Sequence, residues 1–172
     1  MTKGEARQRY LRYLGEATVN GSARGDQDLA DQFDYLLPGA LTHVAAAFPL
    51  YGYDEAESEF IPPEDFISLE EIESGGFPAP YWEQNGKYLF EGAAQIRYRR
   101  TPSDPGSDES AALDVWPPAA GLVPLQCAIM AAAGSEAQSY KLASLSSLYN
   151  TMAAALQIAD APRFVRDYSK GG

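Results

Sequence analysis

The order in which residue patterns follow one another constrains this chain more than any single motif. Two segments with helical periodicity open it. An acidic, Pro-rich and then β-patterned stretch fills the middle, and two Ala-rich apolar helical segments run from about Pro117 to Gln157. A small β-element between two helical pairs predicts a mainly α fold. The expected architecture is an antiparallel bundle of about four helices carrying a small antiparallel β-element and a short helix. At 172 residues the chain is long enough for one domain with a real core. The sequence divides into a helical domain over 1–160, with its β-insert at about 51–112, and a flexible basic C-terminal tail over 161–172.

Local signals place the elements. Thr2 and Glu5 fit a capping box, and Ala6, Tyr10, Tyr13, Leu14 and Ala17 recur at helical spacing, predicting a first helix over about 2–18. Val19–Gly25 reads as a flexible loop. Leu29, Phe33, Leu36, Leu37, Leu41, Val44 and Phe48 define a second helix beginning at Asp26 or Asp28, with a kink expected at Pro38. Glu57–Ile61 is a weak strand. Pro63–Ile72 reads as a short helix with acids at its start, stopped by Gly75–Gly76. Asn85–Gly86 between Tyr81–Gln84 and Lys87–Phe90 is a hairpin signal, because a type I′ turn needs positive φ at both central residues. Ala94–Arg100 alternates as a further strand, with Ile96 and Tyr98 on one face and Arg97 and Arg99 on the other. After a polar loop, a third helix starts at Pro117 or Pro118 with a kink at Pro124. Ser135 is placed to cap the fourth.

Charge is unevenly distributed. The net charge is −11, yet residues 26–91 hold fifteen acids against Lys87 alone. Residues 1–25 carry five bases and two acids, and residues 161–172 carry three bases and one acid. The acidic balance argues against non-specific nucleic-acid binding, which needs clustered Lys and Arg. A solvated acidic surface is the simplest account of the surplus. Opposite-sign regions can also join identical copies head to tail.

The residue types that carry chemistry are sparse. Cys127 stands alone in an apolar run and reads as a buried structural thiol. His43, the one histidine, lies beside an apolar stripe and reads as a satisfied core or boundary residue rather than a catalytic one. Asp26, Asp28, Asp31 and Asp34 look like a helix start and its wet face rather than a cation site. Glu70, Glu71 and Glu73 read as a solvated helix face. No phosphate loop, nucleophile elbow or zinc motif occurs. The reading is therefore of a non-enzyme, with no catalytic residue, no cofactor and no metal. The N-terminus does not resemble a signal peptide, and the apolar run at 121–133 is too short for a membrane span. A soluble, intracellular protein is expected. Arg97, Arg99 and Arg100 suit solvent, an acidic protein surface or, least well, nucleic acid. With Arg163, Phe164, Arg166 and Tyr168 of the tail they form the candidate partner interface. Tyr51, Tyr53, Tyr81, Trp82 and Tyr88 fit either an interface or the core of the insert.

The layout resembles a known family. The opening Met-Thr-Lys-Gly-Glu-Ala with its helix and Asp-led second helix is similar to the N-termini of head–tail connector (adaptor, neck) proteins of tailed bacteriophages and prophages. So are Pro-Pro-Glu-Asp-Phe-Ile-Ser-Leu-Glu-Glu-Ile, the Asn-Gly hairpin and Ala-Gln-Ile-Arg-Tyr-Arg-Arg-Thr-Pro. Leu-Asp-Val-Trp-Pro-Pro-Ala-Ala-Gly, the apolar helix and the Tyr-rich last helix complete a likeness over most of 1–157. The resemblance implies a virion protein at the head–tail junction, made in the bacterial host cytoplasm. It implies a ring of identical subunits, twelve by analogy, that docks on the portal protein and links the DNA-filled head to tail and neck proteins. DNA would pass through the lumen without specific binding, and no membrane would be involved. The alternatives are another neck or tail-completion protein, or a small ligand-binding protein walled by Tyr81, Trp82, Tyr88 and His43.

Overall fold

The structure is a computed structural model that describes residues 1–15, 17–19, 22–24 and 27–160. It corrects the expected fold class. Among the described residues four helices accompany seven strands in two antiparallel sheets, besides a short ribbon near the N-terminus, so the fold is α+β rather than a mainly α bundle.

Helix α1 spans Lys3–Tyr13. Its start is the capping box read from the sequence: the Thr2 hydroxyl accepts the Glu5 N–H at 3.2 Å, and the Thr2 N–H donates to Glu5 Oε2 at 3.0 Å. Strands β1 (Ala17–Val19) and β2 (Ser22–Arg24) pair antiparallel where the last residues of the first helix and a loop were expected; the helix instead ends at Tyr13. The sequence between them is Asn20-Gly21, the dipeptide that also marks the later hairpin. Helix α2 spans Gln27–Ala47 and passes through Pro38, which lies on the exposed side while Phe33, Leu37, Ala40, Leu41 and Val44 face the core.

Helix α3 (Leu122–Gly134) is the centre of the helical layer and packs against α1, α2 and α4 (Leu142–Asp160). A helix apolar on every side belongs inside, and Leu122, Val123, Leu125, Cys127, Ala128 and Ala132 are all fully buried. A 3-10 turn over Pro117–Gly121 precedes it. Pro124 therefore falls in the first α-helical turn, where its missing N–H has no helical partner to lose, and no interior break is needed. Together Pro117–Gly134 is long and apolar enough, by length and composition alone, to cross a membrane, against the sequence reading of a run too short. Here 61% of it is buried, as the axis of the core. Ser135 precedes a second 3-10 turn (Glu136–Lys141), and its side chain makes no cap hydrogen bond.

The β-module lies between Leu50 and Arg100. One sheet runs β3 (Leu50–Ala56), β9 (Ala94–Arg100), β5 (Phe66–Ser74), β6 (Phe77–Pro78). The other runs β4 (Glu59–Phe60), β8 (Lys87–Phe90), β7 (Tyr81–Gln84). Phe60, Phe90, Ile72, Ala94, Ile96 and Tyr98 form a second, separate core. Phe60, Phe66, Tyr88 and Tyr98 pack as an aromatic cluster within it, with ring centroids 5.4–6.2 Å apart.

The short helix expected over Pro63–Ile72 is instead strand β5. Phe66, Leu69 and Ile72 stand three residues apart, which imitates helical spacing. The strand achieves that period with register shifts between Phe66 and Ser68 and between Leu69 and Glu71. Each extra residue returns the next apolar side chain to the core face. Gly75 and Gly76, read as a helix stop, are the hairpin turn joining β5 to β6, with φ of 60° and 83°. The Asn85–Gly86 hairpin forms as read, with φ of 54° and 74°.

Candidate partner interface

The residues singled out from the sequence fall into three places. Alternation along β9 buries Ile96 and Tyr98 and sends Arg97 and Arg99 to the outer face of the four-stranded sheet. There Arg97 meets Glu71 at 3.0 Å and lies over the Tyr51 ring at 5.4 Å. Arg99 meets Glu70 at 3.7 Å. Glu70 and Glu71 thus form a cross-strand ladder with the arginines, rather than the solvated helix face first assigned to them. Such exposed pairs contribute little stability, about 0–1 kcal/mol each, but they fix the side chains of an open face.

Arg100 does not belong to that surface. Sharing parity with Ile96 and Tyr98, it turns toward the helical layer. Its guanidinium holds Asp114 through two bonds of 2.7 Å, with Asp65 at 3.9 Å. Asp114 also accepts from the Ser103 N–H and hydroxyl. The Arg100 hydrogen bonds lead in holding the Asp114 carboxyl down to about 2. The same contact raises the Arg100 guanidinium further. Beside this junction Phe48, at the end of α2, stacks on Trp116 at 5.6 Å. The arginine triplet read as one patch is therefore two exposed ladder members and one structural clamp. Arg163, Phe164, Arg166 and Tyr168 lie outside the described residues.

Of the expected ligand wall, Tyr81 and Tyr88 pack edge to face with ring centroids 5.9 Å apart, but none of its four residues lines the two clefts described below. His43 is exposed on α2 and packs edge-on to Tyr149 of α4, centroids 5.7 Å apart. Tyr81 and Trp82 are on β7, an edge strand exposed along its length. The clefts on the module have other linings. One of about 590 Å³ is lined by Tyr53, Asp54, Glu55, Glu71, Glu73, Gln95 and Arg97. A second, sharing Glu55, Glu73 and Gln95, extends it past Glu57 to Gly75 and Gly76. Among the described residues no cluster of His, Cys, Asp or Glu could hold a metal ion. Asp34, first read as part of a wet acidic face, instead pairs with Lys3 at 2.9 Å and Arg7 at 2.6 Å. Partial burial opposes its ionisation, but the hydrogen bonds from Lys3 and Arg7 win and lower its pKa.

Lys3 is a structural residue that the sequence does not mark as one. Its side chain is 4% exposed and its ammonium also donates to the Gly106 carbonyl. Backbone bonds from Lys3 N to Ala111 O and from Gly4 N to Glu109 O, both 2.9 Å, lay the 101–112 segment along α1. A lysine three residues from the start carries no sequence signal of burial.

Large apolar side chains remain exposed on both layers. Tyr53 (73%), Phe77 (75%), Tyr81, Trp82, Ile61 and Ile67 are open on the β-module, and Tyr35 (85%) and Tyr140 (75%) on the helices. No protein-family model matches the chain, and no curated protein is significantly similar to it.

Proposed function

We propose that the chain is a structural subunit of a head–tail connector ring of a tailed phage or prophage, docking on the portal and leading to the tail. The observation that carries this reading is the exposure of large aromatics on two different layers of one small chain. Phe77, Tyr81 and Trp82 lie on the β-module, and Tyr35 and Tyr140 lie on the helices. Tyr and Trp are the side chains that interface cores favour. Two dissimilar sticky surfaces suit a head-to-tail contact, which closes into a ring when the rotation allows it. The order helix pair, β-module, helix pair and the motifs quoted above supply the likeness to connectors. The acidic surplus suits a lumen that lets DNA pass.

The test is solution mass across concentration, alone and with the cognate portal protein, with negative-stain images of the same samples. A discrete ring, free or on the portal, is expected. A protein that stays monomeric and leaves the portal's mass unchanged would sink the reading.

A further inference from the structure

Strand β3 is the open edge of the four-stranded sheet: among the described residues its one paired strand is β9. Edges are normally blunted by Pro, Lys, bulges or brevity. Strand β3 is seven residues long, in unbroken register with β9 from Leu50↔Arg100 to Ala56↔Ala94, and contains neither Pro nor Lys. Asp54 Oδ1 takes the Glu55 N–H at 2.8 Å, which closes the far end locally. Leu50–Asp54 is the stretch left available for pairing. Its outward side chains, Tyr51 and Tyr53, are 40% and 73% exposed. The face they share continues into Glu55, Glu71 and Glu73, where Arg97 is the single base lining the cleft of about 590 Å³ and is already paired with Glu71.

One segment of the sequence complements that edge. Residues 163–170 read Arg-Phe-Val-Arg-Asp-Tyr-Ser-Lys, outside the described residues. Laid out as a strand, alternate residues share a face. Phe164, Arg166, Tyr168 and Lys170 then stand together, two aromatics and two cations, and the tail's one acid, Asp167, falls on the other side. This is the set that Tyr51, Tyr53 and the Glu55–Glu73 cleft would receive: an aromatic cross-strand pair with a cation on each side of it, one over a tyrosine ring and one beside opposite charge. Pro162 stands just before the segment and does not interrupt it.

We propose that residues 163–170 of a second copy of this chain add as a strand to the β3 edge at Leu50–Asp54, with Tyr168 against Tyr53 and its same-face neighbours Arg166 and Lys170 on either side, one opposite Tyr51 and the other opposite Glu55 at the acidic cleft. Strand addition of this kind takes its affinity from main-chain hydrogen bonds and its specificity from alternate side chains. The proposal rests on the ring reading in assigning the segment to a neighbouring copy, because a tail on one copy and an edge on the next make a head-to-tail contact.

The test uses full-length chains. A Tyr53→Cys chain is mixed with a Tyr168→Cys chain and oxidised; Cys127 is fully buried and gives little background. A covalent dimer formed in the mixture beyond that of either variant alone is expected. Its yield should fall about fivefold when Glu55→Lys and Glu73→Lys are added to the first chain, and return when Arg166→Glu and Lys170→Glu are added to the second. No mixed dimer, or a dimer indifferent to the charge swaps, would overturn the contact. An intrachain bond alone in a chain carrying both cysteines would overturn the assignment to a second copy. The two readings fail separately. Rings seen by microscopy without the cross-link remove this contact and leave the connector. A cross-link in species that never close removes the connector and leaves the contact.

Discussion

Arg100 and Asp114 meet fork to fork, both guanidinium nitrogens 2.7 Å from the two carboxylate oxygens, and so fasten the last residue of β9 to the segment that enters the helical core. The pair is only partly exposed, which makes it worth more than a surface ion pair. The folded Asp114 pKa of about 2 lies below its ordinary 3.8. A depressed acid contributes stability that is fully present above the ordinary value and lost as pH falls toward the folded one. Asp114→Asn should cost about 2 kcal/mol at pH 7. The gap between wild type and variant should narrow from about pH 4 downward, approaching zero near pH 2. Urea titrations at pH 7 and pH 2.5 check this, and an equal gap at both would refute the linkage.

Lys3→Met keeps the stem of the side chain and removes the ammonium. Asp34 then retains Arg7 alone, and the Gly106 carbonyl loses its donor. A loss of about 2 kcal/mol is expected, as for a hydrogen-bonded charge. Hydrogen exchange should quicken at the Lys3 and Gly4 amides, which bond to Ala111 and Glu109. Unchanged melting and exchange would show that the 101–112 segment is held by its backbone bonds.

Gly52 sits beneath the Tyr98 ring. A Cβ built there would lie 2.3 Å from Tyr98 Cζ, far inside contact distance. The ring is held by Phe60 and Phe66, at 5.4 and 5.8 Å between centroids, so it has little room to retreat. Gly52→Ala should destabilise by about 1–3 kcal/mol. The same change in a Tyr98→Leu background should cost much less, and a double-mutant cycle reads the difference. Strict additivity would place the strain elsewhere.

Burial pushes the Cys127 thiol up to about 12. The native protein at pH 8 should react with a disulfide reagent no faster than it unfolds, and at once in denaturant. Rapid native labelling would mean that α3 opens locally.

How much was readable depends on whether local and tertiary signals agreed. Thr2 with Glu5, and Asn85 with Gly86, act within four residues, so the start of α1 and the β7–β8 hairpin form as the sequence predicts. The alternation of Ile96 to Arg99 was equally plain. Strand β5 was not, because two register shifts gave its apolar residues a spacing of three. Strand β5, the β1–β2 ribbon and the full length of β3 together make α+β the fold of a chain whose local patterns predict a helical bundle. Among the proposed interface residues, Arg97 and Arg99 reach an open face as expected. Arg100 does not, since its partner Asp114 lies fourteen residues away across a loop and no local pattern announces the pair.

Leu50 and Arg100 are cross-strand neighbours, so the chain enters and leaves the β-module side by side. The module keeps its own core, apart from that of the helices. It is mounted like an exchangeable cassette. Apart from Asp65, whose carbonyl accepts the Thr101 N–H at 2.8 Å, the stretch between Leu50 and Arg100 can be lengthened, shortened or recast without moving the two ends that the helical layer holds. Drift in what the module must touch would be absorbed there, while α1 to α4 stay as they are.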